Sequence, residues 1–400
     1  MIKQTKLWNG KSDVLLNLIR ETAHNSAYKE DVPEFHITGN AEADVASIHE
    51  IGDIITSNNS YTETFYDVLY GVIGAQIVSG WYYTNKYKAL KKGLMQIGDV
   101  IQIVRPKAFK GETMPKEVAQ RFGADVDAPN RHGVDTQYFA RNLMAKYKDT
   151  IDRDELKRAF ASVSSFDNFV SAKLQNVYNM YEVDEQLTFK YLTLTAINQN
   201  NMSTVEYTYA DNAEINAKNL IKAIKNTCGK MTYPTENWNL AKVLNAVSDR
   251  NALNVVLPIE VSTDISVDAL AGAFNLDKIA MTQKLYEIDQ FELTDNEAIR
   301  LACIGVIPST TTKPDGEETT YITGVDEVGT PIYILKDDVP TATDVVGFIF
   351  ADDFYQIYDN LFEMYTRMNE SGVFQNYFLH VWQTWAVSMF AQCAVIKKKQ

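Results

Sequence analysis

The chain has 400 residues, 46% hydrophobic, 22% charged and 11% aromatic. That supplies a large core and excludes a mostly disordered protein. Its 3 Cys (Cys228, Cys303, Cys393) are too few and too scattered for a disulfide scaffold or zinc ribbon, and a formal charge of -14 excludes a chain-wide electrostatic grip on DNA.

From Met1 to about Asn59 the pattern is irregular, with one expected helix near Val14 to Glu21 and Pro, Gly and Asn punctuation afterwards. Lys3, Lys6, Lys11 and Asp13 interrupt the start, so no signal-peptide core is expected there. Thr62 to Val78 reads as helix followed by strand. Met95 to Val104 has strand character around Ile97, Val100, Ile101, Ile103 and Val104. Arg105 to Lys148, with Pro106, Pro115 and Pro129, cannot make its own core; a contact-forming loop or hairpin is expected. Lys86 to Lys148 holds 13 Lys and Arg against 6 Asp and Glu, a basic segment inside an acidic chain. It is either a solvated loop or an arm that lies on the acidic surface of a neighbouring copy.

Asp152 and Glu155 have capping-box spacing and open a short helix. From Ser165, Phe166, Phe169, Val170, Leu174, Val177, Tyr178 and Tyr181 recur at three- and four-residue steps, and no Gly or Pro interrupts the run to Asn198. This predicts a helix about 50 Å long, a spine or bundle member rather than a heptad coiled coil. Asp211 and Glu214 repeat the capping spacing before a helix whose apolar face is Ala217, Leu220, Ile221, Ile224 and Cys228. Lys218, Lys222 and Lys225 lie elsewhere on it, and Gly229 suits its end. Further helices are expected over Trp238 to Val247 and Ser266 to Phe274, and a buried strand over Leu253 to Leu257, ended by Pro258. Thr319 to Gly324 and Pro331 to Leu335 form a hairpin signal around Asp326 to Gly329. Val345 to Phe350 and Tyr377 to Ile396 read as strands. The apolar stretch Val381 to Ile396 carries Gln383, Ser388 and Gln392 and falls short of a membrane span. A soluble, unexported protein is the expectation.

The search for chemistry finds no catalytic, cofactor or metal motif. His49-Glu50 lacks a second His at zinc spacing, and His24, His36, His132 and His380 form no ligand set. No Walker A loop is present, and Gly71 and Gly74 suit helix packing or a bend. Asp184-Glu185 and Asp352-Asp353 read as solvated acidic surface, because an acid/base pair needs a cleft that splits its pKa values. Lys397 to Lys399 reads as a solvated tail, with nonspecific phosphate contact as the other reading. Tyr355, Tyr358, Phe362, Tyr365, Tyr377, Phe378, Trp382 and Trp385 read as core and, in part, interface.

Phe374-Gln375-Asn376-Tyr377-Phe378-Leu379-His380-Val381-Trp382-Gln383-Thr384 closely resembles the end of the major head protein of phi29-like podoviruses. Collinear with it are Ile357 to Leu361, Ser266 to Asn275, Ser165 to Ser171, Glu182 to Glu185, and Lys91-Lys92-Gly93 with Gly98. None of these motifs is catalytic; their specificity lies in their order from about Lys86 to Ile396.

The resemblance implies an α+β chain with the Hong Kong 97-type phage capsid fold. Residues 1–85 would be the N-terminal arm and start of the peripheral domain. Residues 86–148 would be the extended loop, 149–199 the peripheral domain with its spine helix, and 200–345 the α/β axial domain. Residues 346–400 would return to the peripheral domain. The segment 303–343 reads as an insertion carrying the Thr319 to Leu335 hairpin, and an immunoglobulin-like C-terminal domain known in the family is not expected. The implied function is a non-enzymatic major capsid protein that forms hexamers and pentamers of an icosahedral or prolate head. The implied partners are a separate scaffolding protein, a portal protein at one vertex and packaged double-stranded DNA touched weakly, with no cofactor and no membrane. Assembly is expected in the bacterial cytoplasm, of an uncleaved chain, with the virion as destination. Candidate intersubunit residues are Lys107, Lys110, Lys116, Arg121 and Arg131. No covalent cross-link from these lysines to Asn369 or Asn376 is expected. Other readings are an encapsulin-like compartment shell and an acidic α/β hydrolase.

Overall fold

The computed structural model describes residues 12–76, 84–95, 100–107, 133–210, 212–244, 248–264, 284–314, 318–326, 328–342, 344–369, 372 and 374–399. In chain order its helices are α1 (Ser12–Thr22), α2 (Ser26–Asp31), α3 (Ala41–Ser57), α4 (Asn59–Gln76), α5 (Arg153–Ala159), α6 (Val163–Ile197), α7 (Ala213–Met231), α8 (Ile259–Asp264) and α9 (Asp295–Cys303). The strands are β1 (Gly93–Leu94), β2 (Val100–Pro106), β3 (Val134–Ala140), β4 (Leu143–Asp152), β5 (Thr204–Thr208), β6 (Leu253–Pro258), β7 (Leu285–Ile288), β8 (Tyr321–Val325), β9 (Pro331–Leu335), β10 (Val345–Ala351), β11 (Tyr355–Asn369), β12 (Phe374–Val387) and β13 (Cys393–Lys399). The chain divides into two compact units: Met1–Asn85 with Met144–Glu185 and Leu361–Val381, and Lys86–Leu143 with Gln186–Asn360 and Trp382–Gln400.

In the first unit α1, α3 and α4 bury Leu15, Ile19, Ile48, Ile51, Ile55 and Phe65 against Leu156, Phe160 and Phe166. The helix expected near Val14 to Glu21 is α1, but the irregular pattern expected from there to Asn59 is instead interrupted by α2 and α3. The Asn residues read as loop punctuation are helix caps: Asn25 Oδ1 accepts from the backbone N–H groups of Ala27 and Tyr28, and Asn40 Oδ1 from that of Glu42. A side-chain acceptor there satisfies amides that the first helical turn leaves unpaired. Asp44 anchors the approach to α3 by accepting from Thr38 N and Oγ1 at 2.8 and 2.6 Å.

The predicted long helix is α6, 35 residues. Its three- and four-residue spacing buries Phe166, Val177, Tyr178, Tyr181, Phe189 and Leu194. Asp152 holds the N-cap position of α5 but makes no side-chain cap bond. Asn212 caps α7, accepting from Ile215 N at 3.2 Å, and the expected cap Asp211 lies outside the described residues. A full capping box occurs instead at Thr294 and Glu297 of α9.

The core of the second unit is a five-stranded sheet in the order β5-β13-β10-β6-β7, with β13 parallel to β5, β10 antiparallel to both neighbours and β6 parallel to β7. Both faces are covered over the inner strands, so β6, β10 and the first half of β13 carry long apolar runs, while the edge strands β5 and β7 alternate. One face packs Val255, Leu257, Ile349 and Ile396 against Leu220, Ile224 and Met231 of α7. The other packs Val256, Phe348, Phe350 and Val395 against Phe189, Ile288, Leu301 and Ile334. Val346 and Phe348 have the same parity yet join opposite faces, and the register shift between Val345 and Gly347 is what exchanges them.

The predicted hairpin is β8–β9, pairing Tyr321 with Leu335 through Val325 with Pro331. Asp326 closes its turn by accepting from Val328 N and Thr330 N at 2.9 and 2.7 Å, with Gly329 at φ 86°. Trp238 to Leu244 is not the predicted helix. Asn239 side-chain bonds to Val243 N and O fold this segment into a turn, Lys242 takes φ 51°, and Asn239 bridges to Gln392. The rest of that prediction, 245–247, and the Ser266 to Phe274 helix lie outside the described residues. No helix among the described residues is long and apolar enough to cross a membrane.

Candidate assembly surface

Strand alternation places every second side chain on one face. In the ribbon of β2 and β3, Val100 pairs with Ala140, Gln102 with Tyr138, Val104 with Thr136 and Pro106 with Val134. These even-numbered residues are all exposed, and four of them are large and apolar: Val100 57%, Val104 53%, Val134 57% and Tyr138 62%. Gln102 Nε2 donates to Tyr138 Oη at 3.0 Å across the face, which orders the phenol without covering it. The odd-numbered residues Ile101, Ile103, Arg105, Gln137 and Phe139 face the protein.

The ribbon is held from behind. Arg105 donates to Phe390 O at 3.2 Å and to Leu244 O at 2.9 Å. Gln137 donates to Val387 O at 3.0 Å and accepts from Met389 N at 2.9 Å. Asn142 likewise donates to Trp385 O at 2.7 Å and accepts from Trp385 N at 2.8 Å, and the Arg141 guanidinium lies 4.4 Å from the centre of a Trp382 ring. One face is thus pinned to its own chain while the other presents apolar surface to solvent.

Of the predicted intersubunit residues, Lys107 is described; it pairs with Asp135 at 3.1 Å and stays more than half exposed. Lys110, Lys116, Arg121 and Arg131 lie outside the described residues. Other basic groups of the segment act within the chain: Lys91 pairs with Asp359 at 2.8 Å, and Lys92 donates to Asp352 O at 2.8 Å. Asn376, one of the asparagines considered for cross-linking, accepts from Thr150 Oγ1 at 2.7 Å.

Of the two acidic pairs expected to be solvated surface, Asp352 and Asp353 are exposed, whereas Asp184-Glu185 is not. Asp184 and Glu185 are buried with Glu182 on α6. Asn85 donates its backbone N–H to Glu182 at 2.7 Å and its amide to Glu185 at 2.8 Å, while Tyr181 Oη donates to Glu185 at 2.6 Å. Buried polar groups are kept in a fold by hydrogen bonds of this kind. Burial disfavours ionisation of Asp352, but hydrogen bonds from Lys284 and Asn254 and the charges of Lys284 and Lys92 outweigh it and hold this carboxyl below the usual range. His49 Nε2 contacts Ala161 O at 3.0 Å. Among the described residues no group of three His, Cys, Asp or Glu is placed to hold a metal ion. Burial pushes the Cys228 thiol up to about 11 and the Cys393 thiol up to about 12, which keeps both protonated and unreactive at neutral pH. The residues that sequence reasoning missed are the exposed Val100, Val104, Val134 and Tyr138.

Comparison with known proteins concerns the chain as a whole. A family model described as Phi29-like phage major capsid protein matches residues 16–397. The major capsid protein of Bacillus phage PZA is 26% identical over 390 residues, 97% of this chain and 73% of that protein. That of Bacillus phage B103 is 26% identical over 393 residues, with the same coverage of each. A chain in the capsid structure of Staphylococcus phage Andhra superposes with a TM-score of 0.56 at 14% identity, covering 79% of this chain and 85% of that one.

Proposed function

The chain belongs to the Phi29-like phage major capsid proteins, and from that premise we propose how its copies are joined. It is a structural protein of the phage head shell, built from many copies and destined for the virion. In our reading the copies form hexamers and pentamers, and the β2–β3 ribbon of each lies on its neighbour. The observation that carries this is the ribbon itself: rigidly anchored on one face, apolar and uncovered on the other. Exposed apolar area of this kind marks an interaction surface, and a repeated contact between identical chains is the most economical way to cover it in a shell. The loop residues Lys110, Lys116, Arg121 and Arg131, with Lys107, would add charge steering toward the acidic surface of the next copy.

On the same reading, residues 1–85 supply an arm and the start of the peripheral domain, α6 the spine, and the five-stranded sheet of the second unit the axial domain. The β8–β9 hairpin belongs to an insertion in the 303–343 segment, with Ile322, Ile332 and Ile334 packed into the core of the second unit. A separate scaffolding protein sets curvature, because one sequence in quasi-equivalent positions can close in several ways. A portal occupies one vertex, double-stranded DNA fills the interior, and assembly takes place in the host cytoplasm.

Electron microscopy of the purified protein tests the reading: shells or capsomers are expected, and compact monomers at every concentration would overturn it. Charge reversal with Lys107→Glu and Lys110→Glu should impair assembly while leaving the fold intact; normal assembly across a salt series would remove the steering role.

A further inference from the structure

From Gln375 to Gln383 strand β12 buries every second residue, as a half-covered strand does. Tyr377, Leu379 and Val381 suit that row, and the two glutamines at its ends do not. Gln383 is fully engaged: its amide donates to Asp359 Oδ1 at 2.7 Å and accepts from Trp385 Nε1 at 2.9 Å. Gln375 is only 3% exposed, yet among the described residues neither its Oε1 nor its Nε2 has a hydrogen-bond partner. Leaving a buried amide unpaired costs more than a typical hydrogen bond contributes, so the position calls for a partner.

A small cavity adjoins Gln375, formed with Tyr66 of α4 and Arg153 at the start of α5. These side chains are unsatisfied too. Among the described residues Tyr66 Oη and Arg153 Nε are buried without a partner. Nη2 of Arg153 is directed elsewhere and donates to Thr56 O. Thr62 also lines the cavity, but its hydroxyl donates to Ile55 O at 2.7 Å. Ile151, Met368 and Phe374 supply apolar walls. Every one of these residues belongs to the first unit. Three side chains from three separate stretches of the chain thus bring four unpartnered atoms to one cavity.

Its size and charge select the occupant. About 10 Å³ is open to the centre of a water molecule, which is the room one water requires and too little for a larger ligand. The Arg153 guanidinium disfavours a cation. Burial and the charges of Glu155 and Asp152 push the Tyr66 hydroxyl up, so it stays protonated as a donor, and the same carboxylates disfavour an anion. A neutral molecule that both accepts and donates is left.

We propose that one buried water molecule, held by Gln375, Tyr66 and Arg153, joins β12 to α4 and α5. It accepts from Arg153 Nε and Tyr66 Oη and donates to Gln375 Oε1, the usual number of bonds for such a water. The water explains why an amide stands in an otherwise apolar row, and it links segments that no direct side-chain bond joins at this point.

A high-resolution density map of the full-length protein should show a single peak within about 3.2 Å of Gln375 Oε1, Tyr66 Oη and Arg153 Nε. Side chains repacked into direct contact, with no peak between them, would overturn the proposal. Urea denaturation supplies a second readout through its sign. Gln375→Leu removes the acceptor at similar volume. With the water in place, the substitution strands Tyr66 and Arg153, and the unfolding equilibrium constant should rise about tenfold. A dry cavity gives the opposite, because an unpaired amide is then replaced by an apolar group, and a stabilised variant would overturn the proposal. Should the leucine variant not fold, Tyr66→Phe decides on the same sign, since it deletes only the hydroxyl. A rise of about fivefold is expected, and unchanged or increased stability would count against the water. Neither measurement requires shell formation, so both stand apart from the capsid reading.

Discussion

Nζ of Lys190 lies 2.8 Å from Oδ2 of Asp289, with 3% of the lysine side chain exposed against 53% of the aspartate. The second partner, Glu297, lies at 3.0 Å and also accepts from Thr294 N in the capping box of α9. One ammonium thus ties α6 to the start of α9 within the second unit. Because both carboxylates keep some water, removing the lysine strands them less than a fully buried pair would. Lys190→Ala should cost about 2 kcal/mol, below the 3–5 kcal/mol typical of a broken buried pair. Lys190→Met, which fills the space, should cost less than half of that. Urea denaturation of both variants checks the order.

Gly52 lies inside α3, where alanine would ordinarily gain about 1 kcal/mol of helix propensity. A Cβ there would sit 2.5 Å from Cβ and 2.7 Å from Cγ of Phe160. Overpacking wins: Gly52→Ala should destabilise the first unit by about 2 kcal/mol. Adding Phe160→Gly removes both of those atoms, so the double variant should lose less than the sum of its parts in thermal denaturation.

Asp352 has a carboxyl held below its ordinary value in the fold. Its contribution to stability is therefore complete above the unfolded-state pKa of about 3.9 and is lost as pH falls through the lower native value. Asp44, held low by its hydrogen bonds from Thr38, follows the same sign. Asp352→Asn should flatten the acid limb of stability below about pH 4 and leave its slope near neutrality unchanged. Urea midpoints across this range measure it.

Val104→Ser with Tyr138→Ser removes two apolar groups from the outward face of the β2–β3 ribbon and touches nothing behind it. The chain should fold normally, and the concentration needed for shell formation should rise roughly thirtyfold, equivalent to about 2 kcal/mol per contact. Light scattering against concentration gives the threshold.

The spine helix and the β8–β9 hairpin were legible because their signals are local: an uninterrupted apolar period in one, a turn sequence between alternating runs in the other. Helices α2 and α3 are not legible in the sequence because asparagine serves both loops and caps, and only the amides that follow Asn25 and Asn40 tell them apart. Asp184 and Glu185 looked solvated by residue type. Yet Glu185 follows Tyr181 at helical spacing, a local sign that it shares a buried stripe. The ribbon was harder. Both parities of β2 are apolar, Val100 and Val104 on one and Ile101 and Ile103 on the other, so alternation could not say which looks outward. That follows from Arg105 and Gln137 reaching the backbone of Leu244 to Phe390, a long-range contact without a local signature.

The placing of β13 between β5 and β10 sets a timetable for biosynthesis. The inner strand of this sheet is made roughly 190 residues after the edge strand it joins, about 10 to 40 seconds later at usual rates of translation. Throughout that interval β5 lacks its parallel neighbour, and β10, which begins at Val345, lacks one of its two from its synthesis until β13 is made. A nascent chain therefore has no finished second unit to offer a growing shell until Cys393 to Lys399 has cleared the ribosome. The same interval leaves unpaired strand edges for chaperones to guard, and it keeps incomplete products from being built into the wall.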